Sequence, residues 1–217
     1  MTYAFNENYI LPFSHDEVVH GKRSLIGRMP GEYDAKFANL RVMLGYMMVH
    51  PGKKLNFMGN EFGHFIEWDY QKELDWFLLS YDRHRQMKDY IKSLNRFYLS
   101  HPPLWENDSD WNGFQWIKVD DRDNGVLACR RIARNGEEIL AVLNFCPVER
   151  WEYRIGVPYR CILNPVFSSD RVEFGGGGTS LSRSRTENIS CDGYPQSASL
   201  HLPPLSAVFY RMIYIRK

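Results

Sequence analysis

The sequence contains no apolar run of about 18 residues, the length that an α-helix needs to cross a bilayer. It also lacks a basic segment followed by an apolar one after Met1, which a secretory signal peptide would require. Because both features are missing, we expect no membrane partner. We also find no internal repeat, so a solenoid or propeller is not expected.

An excess of charge of either sign is missing too. The chain has 27 Lys and Arg against 26 Asp and Glu, a formal net charge of +1. Domains that bind nucleic acid usually carry a strong basic excess, so we expect no nucleic acid partner. An uncharged substrate is compatible with this balance, and 44% hydrophobic residues are enough to form a sizeable core.

Cysteine is scarce and widely spaced. The four cysteines are Cys129, Cys146, Cys161 and Cys191, and no two of them form a CxxC pair. This spacing excludes the usual zinc sites and small disulfide scaffolds. We interpret the cysteines as small core residues, and free thiols favour a reducing, cytoplasmic location.

What is present in the first part alternates between strand-like and helix-like segments. Short apolar strands are predicted at residues 9–13 and 55–58, and each is followed at once by polar residues. Helices with one apolar face are predicted at 35–49, with Asp34 as N-cap, and at 85–99. This order is typical of a parallel α/β fold, and a (β/α)8 barrel places its chemistry just past such strand ends.

From about residue 108 onward, short β-type runs are separated by turn signals such as Asn135-Gly136. The predicted runs are 114–119, 126–131, 139–145, 151–155, 160–163, 198–202 and 207–214. They indicate an antiparallel β-sandwich. We therefore predict two domains, 1–107 and 108–217, and a flexible surface loop at the four glycines 175–178.

Only about two βα units precede the predicted sandwich, whereas a full barrel needs roughly 200 residues. Two alternatives follow: the chain holds the C-terminal end of a (β/α)8 barrel, or its first part is a small domain that imitates one. In the first case the leading strand has an open edge, and we expect self-association through that edge. Since Met1 could also be a true start, a stand-alone protein remains an alternative.

The polar run after the first strand, HDEVVH, invites a metal site. In the HExxH signature the histidines are four apart, whereas His15 and His20 are five apart and would lie about 140° apart around a helix. Pro12 also disfavours a helix here, so we expect no metal and no cofactor. A Ser14-His15-Asp16 hydrolase triad is excluded as well, because adjacent residues on an extended chain point to opposite faces.

A His-Asp pair at a strand end can instead hold sugar hydroxyls through charge-assisted hydrogen bonds. The alternative is an aspartate that caps a turn beside an incidental histidine, and the tripeptide alone favours that alternative. The longer context changes the balance. Residues 11–63 read LPFSHDEVVHGKRSLIGRMPGEYDAKFANLRVMLGYMMVHPGKKLNFMGNEFG, and Glu67-Trp68 and Leu74-Asp75-Trp76 follow.

This pattern closely resembles the bacterial glycogen branching enzymes, which belong to the α-amylase superfamily of (β/α)8 enzymes. A weaker resemblance at 142–145 and 202–205 extends it over essentially the whole chain. The resemblance implies that the first strand is the seventh of a barrel and that residues 54–58 form the eighth. His15 would bind hydroxyls of the glucose at the cleavage point. Asp16 would be the third catalytic carboxylate, which distorts that glucose and stabilises an oxocarbenium-like transition state.

In that family the nucleophile and the general acid come from earlier strands, and no segment here matches them. The resemblance therefore implies a chain that cannot by itself make α-1,6 branches from an α-1,4-glucan such as glycogen or amylose. Further substrate-binding candidates are Glu17, His20, Lys22, Asn60, Glu61 and Trp68. For His20 and Lys22 the alternative is a solvated loop, and for Trp68 it is packing between barrel and sandwich.

Three hypotheses remain from the sequence. The first and preferred one is part of a glucan-branching transferase. The second is another enzyme of the α-amylase superfamily, such as a hydrolase. It would share the His15-Asp16 pair but lack the flanking segments HGKRSL and EWDYQKELDW. The third is a non-catalytic glucan-binding or remnant protein.

Overall fold

A strand–helix–strand unit opens the computed structural model, which describes Met1 and residues 4–215. Strand β1 (Ile10–Phe13) leads through a loop to helix α1 (Tyr33–Val49) and then to β2 (Lys53–Asn56), which pairs with β1 in parallel. A second helix, α2 (Asp82–Ser100), follows β2. The predicted order of the first part is therefore confirmed.

Antiparallel sheets make up the second part, as predicted. Six strands form one sheet in the order β3-β4-β5-β10-β7-β8, and β6 pairs with β9 in a second sheet. The strands are β3 (Phe114–Asp121), β4 (Val126–Ile132), β5 (Glu138–Asn144), β6 (Arg150–Val157), β7 (Cys161–Ser168), β8 (Ser184–Arg185), β9 (Gln196–Leu202) and β10 (Ser206–Tyr214). The domain boundary at 107/108 stays a prediction, and residues 2–3 and 216–217 of the predicted domains lie outside the described residues.

The six-stranded sheet is buried on both faces. Because side chains alternate along a strand, Phe209 of β10 joins a core with the helices, whereas its neighbour Tyr210 joins a second core under β6 and β9. Leu44 and Tyr90 of the helices belong to the first core, and Leu200 of β9 belongs to the second. The sheet β6–β9 therefore lies on the side of the sandwich opposite the helices.

The apolar face predicted for α1 is confirmed, since all five residues that define it are buried: Phe37, Leu40, Leu44, Met47 and Met48. The buried surface is wider than predicted and also includes Val42 and Val49, because the helix packs against α2 as well as against β5 and β10. A Cβ added at Gly45 would lie 2.7 Å from the Cβ of Ala207, which shows how closely the helix approaches β10. The glycine, although unfavourable inside a helix, permits this contact.

Several predicted details differ from the structure. Helix α1 is preceded by Glu32, and Asp34 is not its cap. The Asp34 carboxylate instead accepts a 2.7 Å hydrogen bond from Arg83 Nε, which lowers the pKa of Asp34. Strand β2 ends at Asn56 rather than 58, because Gly59 (φ 92°) turns the chain into a 3₁₀ turn at Asn60–Phe62.

The glycine run at 175–178 is held in place, so the prediction of a flexible loop was wrong. The Asp170 carboxylate accepts hydrogen bonds from the backbone N–H of Gly177 at 2.8 Å and of Thr179 at 2.9 Å. A Cβ at Gly176 would come within 2.2 Å of the Asp170 backbone. The glycines therefore allow a close backbone approach rather than disorder.

The helices of the described residues include none that is long and apolar enough to cross a membrane. Within the same residues, no group of three or more His, Cys, Asp and Glu side chains is placed to hold a metal ion.

Candidate functional site

His15 and Asp16 lie just past the C-terminal end of β1, on a 3₁₀ turn at His15–Glu17. The side chains of His15 and Asp16 are 53% and 68% exposed, and His15 Nε2 lies 3.2 Å from Asp16 Oδ1. The rings of Phe57 and Trp68 stand 6.1 Å from the imidazole on its buried side. The structure thus forms a braced, solvent-facing His-Asp corner from these two residues.

The alternative of a turn-capping aspartate finds no support in this geometry. The residue before the turn is Ser14, and the turn has no side-chain cap. Within the described part of the chain, the Asp16 carboxylate accepts no hydrogen bond, and the turn closes through the backbone alone, from Val18 N–H to His15 O at 2.9 Å. Apart from His15 Nε2, which lies 3.2 Å from Oδ1, the described residues place no partner at the Asp16 carboxylate, so Oδ2 is available to an external ligand.

The three candidates on the following loop differ in the contacts that their side chains make. Glu17 faces Arg28, whose Nη1 is 3.6 Å from Glu17 Oε2 and whose Nη2 donates to the Glu17 carbonyl at 2.6 Å. His20 is fully exposed, with Nδ1 3.5 Å from Glu67 Oε2. Lys22 is exposed and donates only its backbone N–H, to Val19 O. Of the three, Lys22 has no side-chain partner among the described residues, and His20 has only its 3.5 Å contact with Glu67.

The two candidates after β2 are turned toward the protein. Glu61 Oε2 accepts a 2.7 Å hydrogen bond from Gly59 N–H, so the carboxylate closes its own turn. Asn60 is 5% exposed, and its Nδ2 has no partner among the described residues. A buried amide donor without a partner is uncommon. It lies beside a small gap that Val18 and Trp68 help to line.

Trp68 packs within the strand-end region rather than between the first part and the sandwich. Its ring is nearly perpendicular to that of Phe57, with centroids 5.1 Å apart, and the backbone N–H of Trp68 donates to Val18 O at 2.8 Å. The other tryptophan of this segment, Trp76, stacks on Phe62 at 5.3 Å. Trp68 therefore supports the His-Asp corner from behind.

Glu67 has a role that the sequence did not reveal. Its two carboxylate oxygens accept hydrogen bonds from the backbone N–H of Gly21 at 3.0 Å and of Arg23 at 2.7 Å. These two bonds hold the pKa of Glu67 below its usual range. Arg23 adopts a left-handed backbone conformation (φ 63°) at this contact. No spacing rule connects residues 44–46 positions apart, so only the fold could reveal this anchor.

An open groove of about 770 Å³ runs between the loop 19–27 and the segment 65–72. Its walls include His20, Arg23, Glu67, Trp68 and the exposed ring of Tyr70. Through Trp68 the groove adjoins the His-Asp corner. The structure therefore brings His20 and Trp68 together in one groove, whereas Glu17, Lys22, Asn60 and Glu61 do not line it.

Comparison with known proteins supplies a family context. Residues 116–213 match the family model described as alpha amylase, C-terminal all-beta domain. The 1,4-alpha-glucan branching enzyme GlgB of Halothermothrix orenii is 46% identical over 211 residues, which are 96% of this chain and 34% of that protein. The GlgB of Aquifex aeolicus is 47% identical over 211 residues, with the same coverage. The chain spans about a third of the length of these curated relatives.

Solved structures show the same fold at low sequence identity. A debranching enzyme of Nostoc punctiforme superposes with a TM-score of 0.58 at 14% identity, covering 82% of this chain and 32% of that one. An alpha-amylase of Geobacillus thermoleovorans, crystallised with acarbose, gives a TM-score of 0.56 at 16% identity, covering 83% and 34%. At these identities the likeness concerns architecture alone.

Proposed function

This chain is related over 96% of its length to the C-terminal part of the 1,4-alpha-glucan branching enzymes, and from that premise we propose that it supplies one corner of a glucan-branching site. The observation that carries the proposal is the exposed, braced pair of His15 and Asp16 at the C-terminal end of a parallel strand. The relatives named above are branching enzymes, which favours a transferase over a hydrolase.

We propose further that β1 and β2 are the last two strands of a (β/α)8 barrel. Parallel sheets are normally covered on both faces. Here Ile10 is 58% exposed and Leu55 is 40% exposed, and the register of the two strands places both on the same face, so that face of the strand pair is bare in this chain. Preceding strands would cover that apolar face and pair with the free edge of β1; without them, we expect the edge to promote self-association.

In the proposed site, Asp16 is neither nucleophile nor proton donor. Cleavage of an α-1,4 bond passes through an oxocarbenium-like transition state, and a nearby carboxylate stabilises the developing positive charge. Asp16 suits this role because no hydrogen bond from the described residues occupies it. His15, braced by Phe57 and Trp68, would donate to hydroxyls of the same glucose and fix its position.

The remaining chemistry needs a nucleophilic carboxylate and a general acid about 5–5.5 Å apart. The acidic side chains around the corner are occupied in other ways. Glu17 faces Arg28, Glu61 accepts from Gly59, and Glu67 anchors the loop at Gly21 and Arg23. We therefore propose that the nucleophile and the acid come from barrel strands that precede β1 in a complete enzyme, and that this chain alone is inactive.

Two further proposals concern the groove beside the His15-Asp16 pair and the location of the protein. We propose the groove between 19–27 and 65–72 as part of the glucan cleft, with His20 and Trp68 in its wall; Lys22, Glu17, Asn60 and Glu61 would then act from outside the groove. We also propose a cytoplasmic location, because the four cysteines are unpaired in the structure.

A complementation experiment tests the proposal. The chain alone, incubated with amylose, should leave the iodine-stain absorbance unchanged and produce no α-1,6 signals in NMR spectra. A chimera in which this chain replaces the matching C-terminal third of the Halothermothrix orenii enzyme should form α-1,6 branches. Branching by the chain alone, or a folded chimera without activity, would contradict the proposal.

A further inference from the structure

An exposed tryptophan lies on the sandwich, far from the His-Asp corner. Trp151 in β6 is 69% exposed, although its ring stacks on His201 of β9 with centroids 3.7 Å apart and planes 20° from parallel. One face of the indole is therefore supported and the other is open to solvent. Since β6 and β9 cover the side of the sandwich opposite the helices, this face stays open when further strands pair with β1.

The backbone is shaped to present this ring. The pairing of β6 with β9 is interrupted between Arg150, which lies opposite Leu202, and Tyr153, which lies opposite Leu200. Two residues, Trp151 and Glu152, thus stand where one is expected, and Glu152 has a positive φ of 54°. Bulges of this kind redirect side chains, and a non-glycine residue in a left-handed conformation is more frequent at functional sites.

A carboxylate is fixed beside the stacked rings. His201 Nε2–H donates to Glu149 Oε1 at 2.7 Å, and the Glu149 side chain remains 40% exposed. Within the described residues, the second oxygen of Glu149 accepts no other hydrogen bond. The surface therefore combines a rigid aromatic plane with an oriented hydrogen-bond acceptor, and neither needs to be ordered when a ligand binds.

We propose that Trp151, His201 and Glu149 form a second glucan-binding site, separate from the catalytic corner. One face of a pyranose ring exposes C–H bonds that pack on an indole plane, while its equatorial hydroxyls point sideways toward an acceptor such as Glu149. This platform, formed by the stacked rings of Trp151 and His201, is flat and open, which suits a stretch of a polymer better than a small molecule that needs enclosure.

The choice of an α-1,4-glucan rests on the proposed function. A chain bound at this platform is held by the same protein that works on it, so further segments of the polymer reach the cleft at a raised effective concentration. This would be useful to an enzyme whose substrate is a large branched particle.

Site-resolved binding tests the proposal. In the 217-residue chain labelled with 5-fluorotryptophan, the ¹⁹F resonance that is missing in Trp151→Phe should shift on titration with maltoheptaose, and should shift less with glucose at the same concentration. In affinity electrophoresis through glycogen, Trp151→Ala should bind about tenfold more weakly, the order of magnitude expected when apolar sugar surface is no longer buried on the indole. Glu149→Gln should weaken binding less than Trp151→Ala does.

Trp111→Ala serves as the matched control. Trp111 is also 58% exposed, but it meets Phe5 edge-on at 4.7 Å and has no polar ring stacked beneath it. Equal retardation of the two alanine variants, or an unshifted Trp151 resonance, would overturn the proposal. So would a change of oligomeric state in Trp151→Ala without a change in glycogen binding, because the occupant would then be a second copy of the chain.

These outcomes are independent of the proposed branching function. If the chimera described above branches amylose while Trp151 fails to bind maltoheptaose, only the second site is wrong. If Trp151 binds maltoheptaose while the chimera is folded and inactive, only the branching function is wrong.

Discussion

The parallel strand pair and the sandwich use their strands in opposite ways. In the pair, Ile10 and Leu55 are 58% and 40% exposed, and the end of β1 carries the exposed side chains of His15 and Asp16. In the sandwich, Leu140 of β5 and Val208 of β10 are fully buried beneath the β6–β9 layer. The sandwich and the helices therefore provide most of the buried apolar area, whereas the proposed site lies at the end of the strand pair.

This difference has a physical reason. A side chain that stabilises a fold must be engaged by neighbours, whereas one that binds a substrate must keep its polar atoms free. Asp16 accepts no hydrogen bond from the described residues, whereas Asp170 in the sandwich has both carboxylate oxygens occupied by backbone N–H groups. The two regions should respond differently to mutation.

The largest effect on stability is expected from Arg131→Ala. Arg131 is fully buried at the junction of the two parts, where it donates to Val49 O at 2.9 Å and Gly113 O at 3.0 Å and pairs with Asp108. Breaking a buried ion pair on one side usually lowers the free energy of unfolding by about 3–5 kcal/mol. Urea denaturation measures the loss, and Arg134→Ala, at an exposed position, is the control. A loss below about 1 kcal/mol would show that the junction is not held this way.

Phe209→Ala compares the two regions directly with Ile10→Ala. Phe209 is fully buried between the helices and the sheet, so its truncation should lower the free energy of unfolding by about 3–5 kcal/mol. Ile10→Ala, on the bare face of β1, should change it by less than about 0.5 kcal/mol in this chain. In the chimera, where earlier strands would cover β1, the same Ile10 substitution should be more harmful. Similar losses from both substitutions in this chain would remove the contrast.

Much of this contrast was predictable from sequence. The succession of strands and helices in the first part and the antiparallel strands of the second follow from local periodicity and turn residues, and the position of His15 and Asp16 follows from the end of an apolar strand. The features that were not predicted depend on contacts that the local sequence does not determine. The width of the buried surface of α1 and the contacts of the glycine loop with Asp170 are set by packing. The anchoring of Gly21 by Glu67 joins segments that are distant in sequence. The stacking of Trp151 on His201 requires the register of β6 and β9, which periodicity does not fix.

A smaller effect concerns pH and is expected at His84. His84 is buried against α1 and the turn after β2, and its Nδ1–H donates to Phe62 O at 2.8 Å. Burial lowers its pKa below the ordinary value of 6.5, so between the lowered pKa and 6.5 the unfolded chain binds more protons than the folded one. Stability should therefore fall as pH drops through this window.

His50 and His101 shift in the same direction through burial, so the wild-type loss combines all three. Urea denaturation at pH 7.5 and 5.5 should show a smaller loss in His84→Gln than in the wild type. An identical pH dependence in both proteins would contradict this assignment.

The smallest effect is local and is expected from Glu67→Ala. Without the Glu67 carboxylate, the amides of Gly21 and Arg23 lose their acceptors and should exchange faster in hydrogen–deuterium exchange, while the melting temperature changes little. Glu73→Ala, a neighbouring exposed glutamate, is the control. Unchanged exchange at both amides would mean that Glu67 does not hold the loop.

We propose that Asp16 is a working carboxylate of a branching site, and its truncation in the chimera tests this role. In the chimera, Asp16→Ala should lower kcat for amylose branching by about 10²–10³-fold, the loss typical of removing one group that stabilises transition-state charge. The melting temperature should stay unchanged, since the Asp16 side chain is 68% exposed. Glu17→Ala, whose carboxylate faces Arg28, should keep most of the activity. Near-normal turnover in Asp16→Ala would contradict the account.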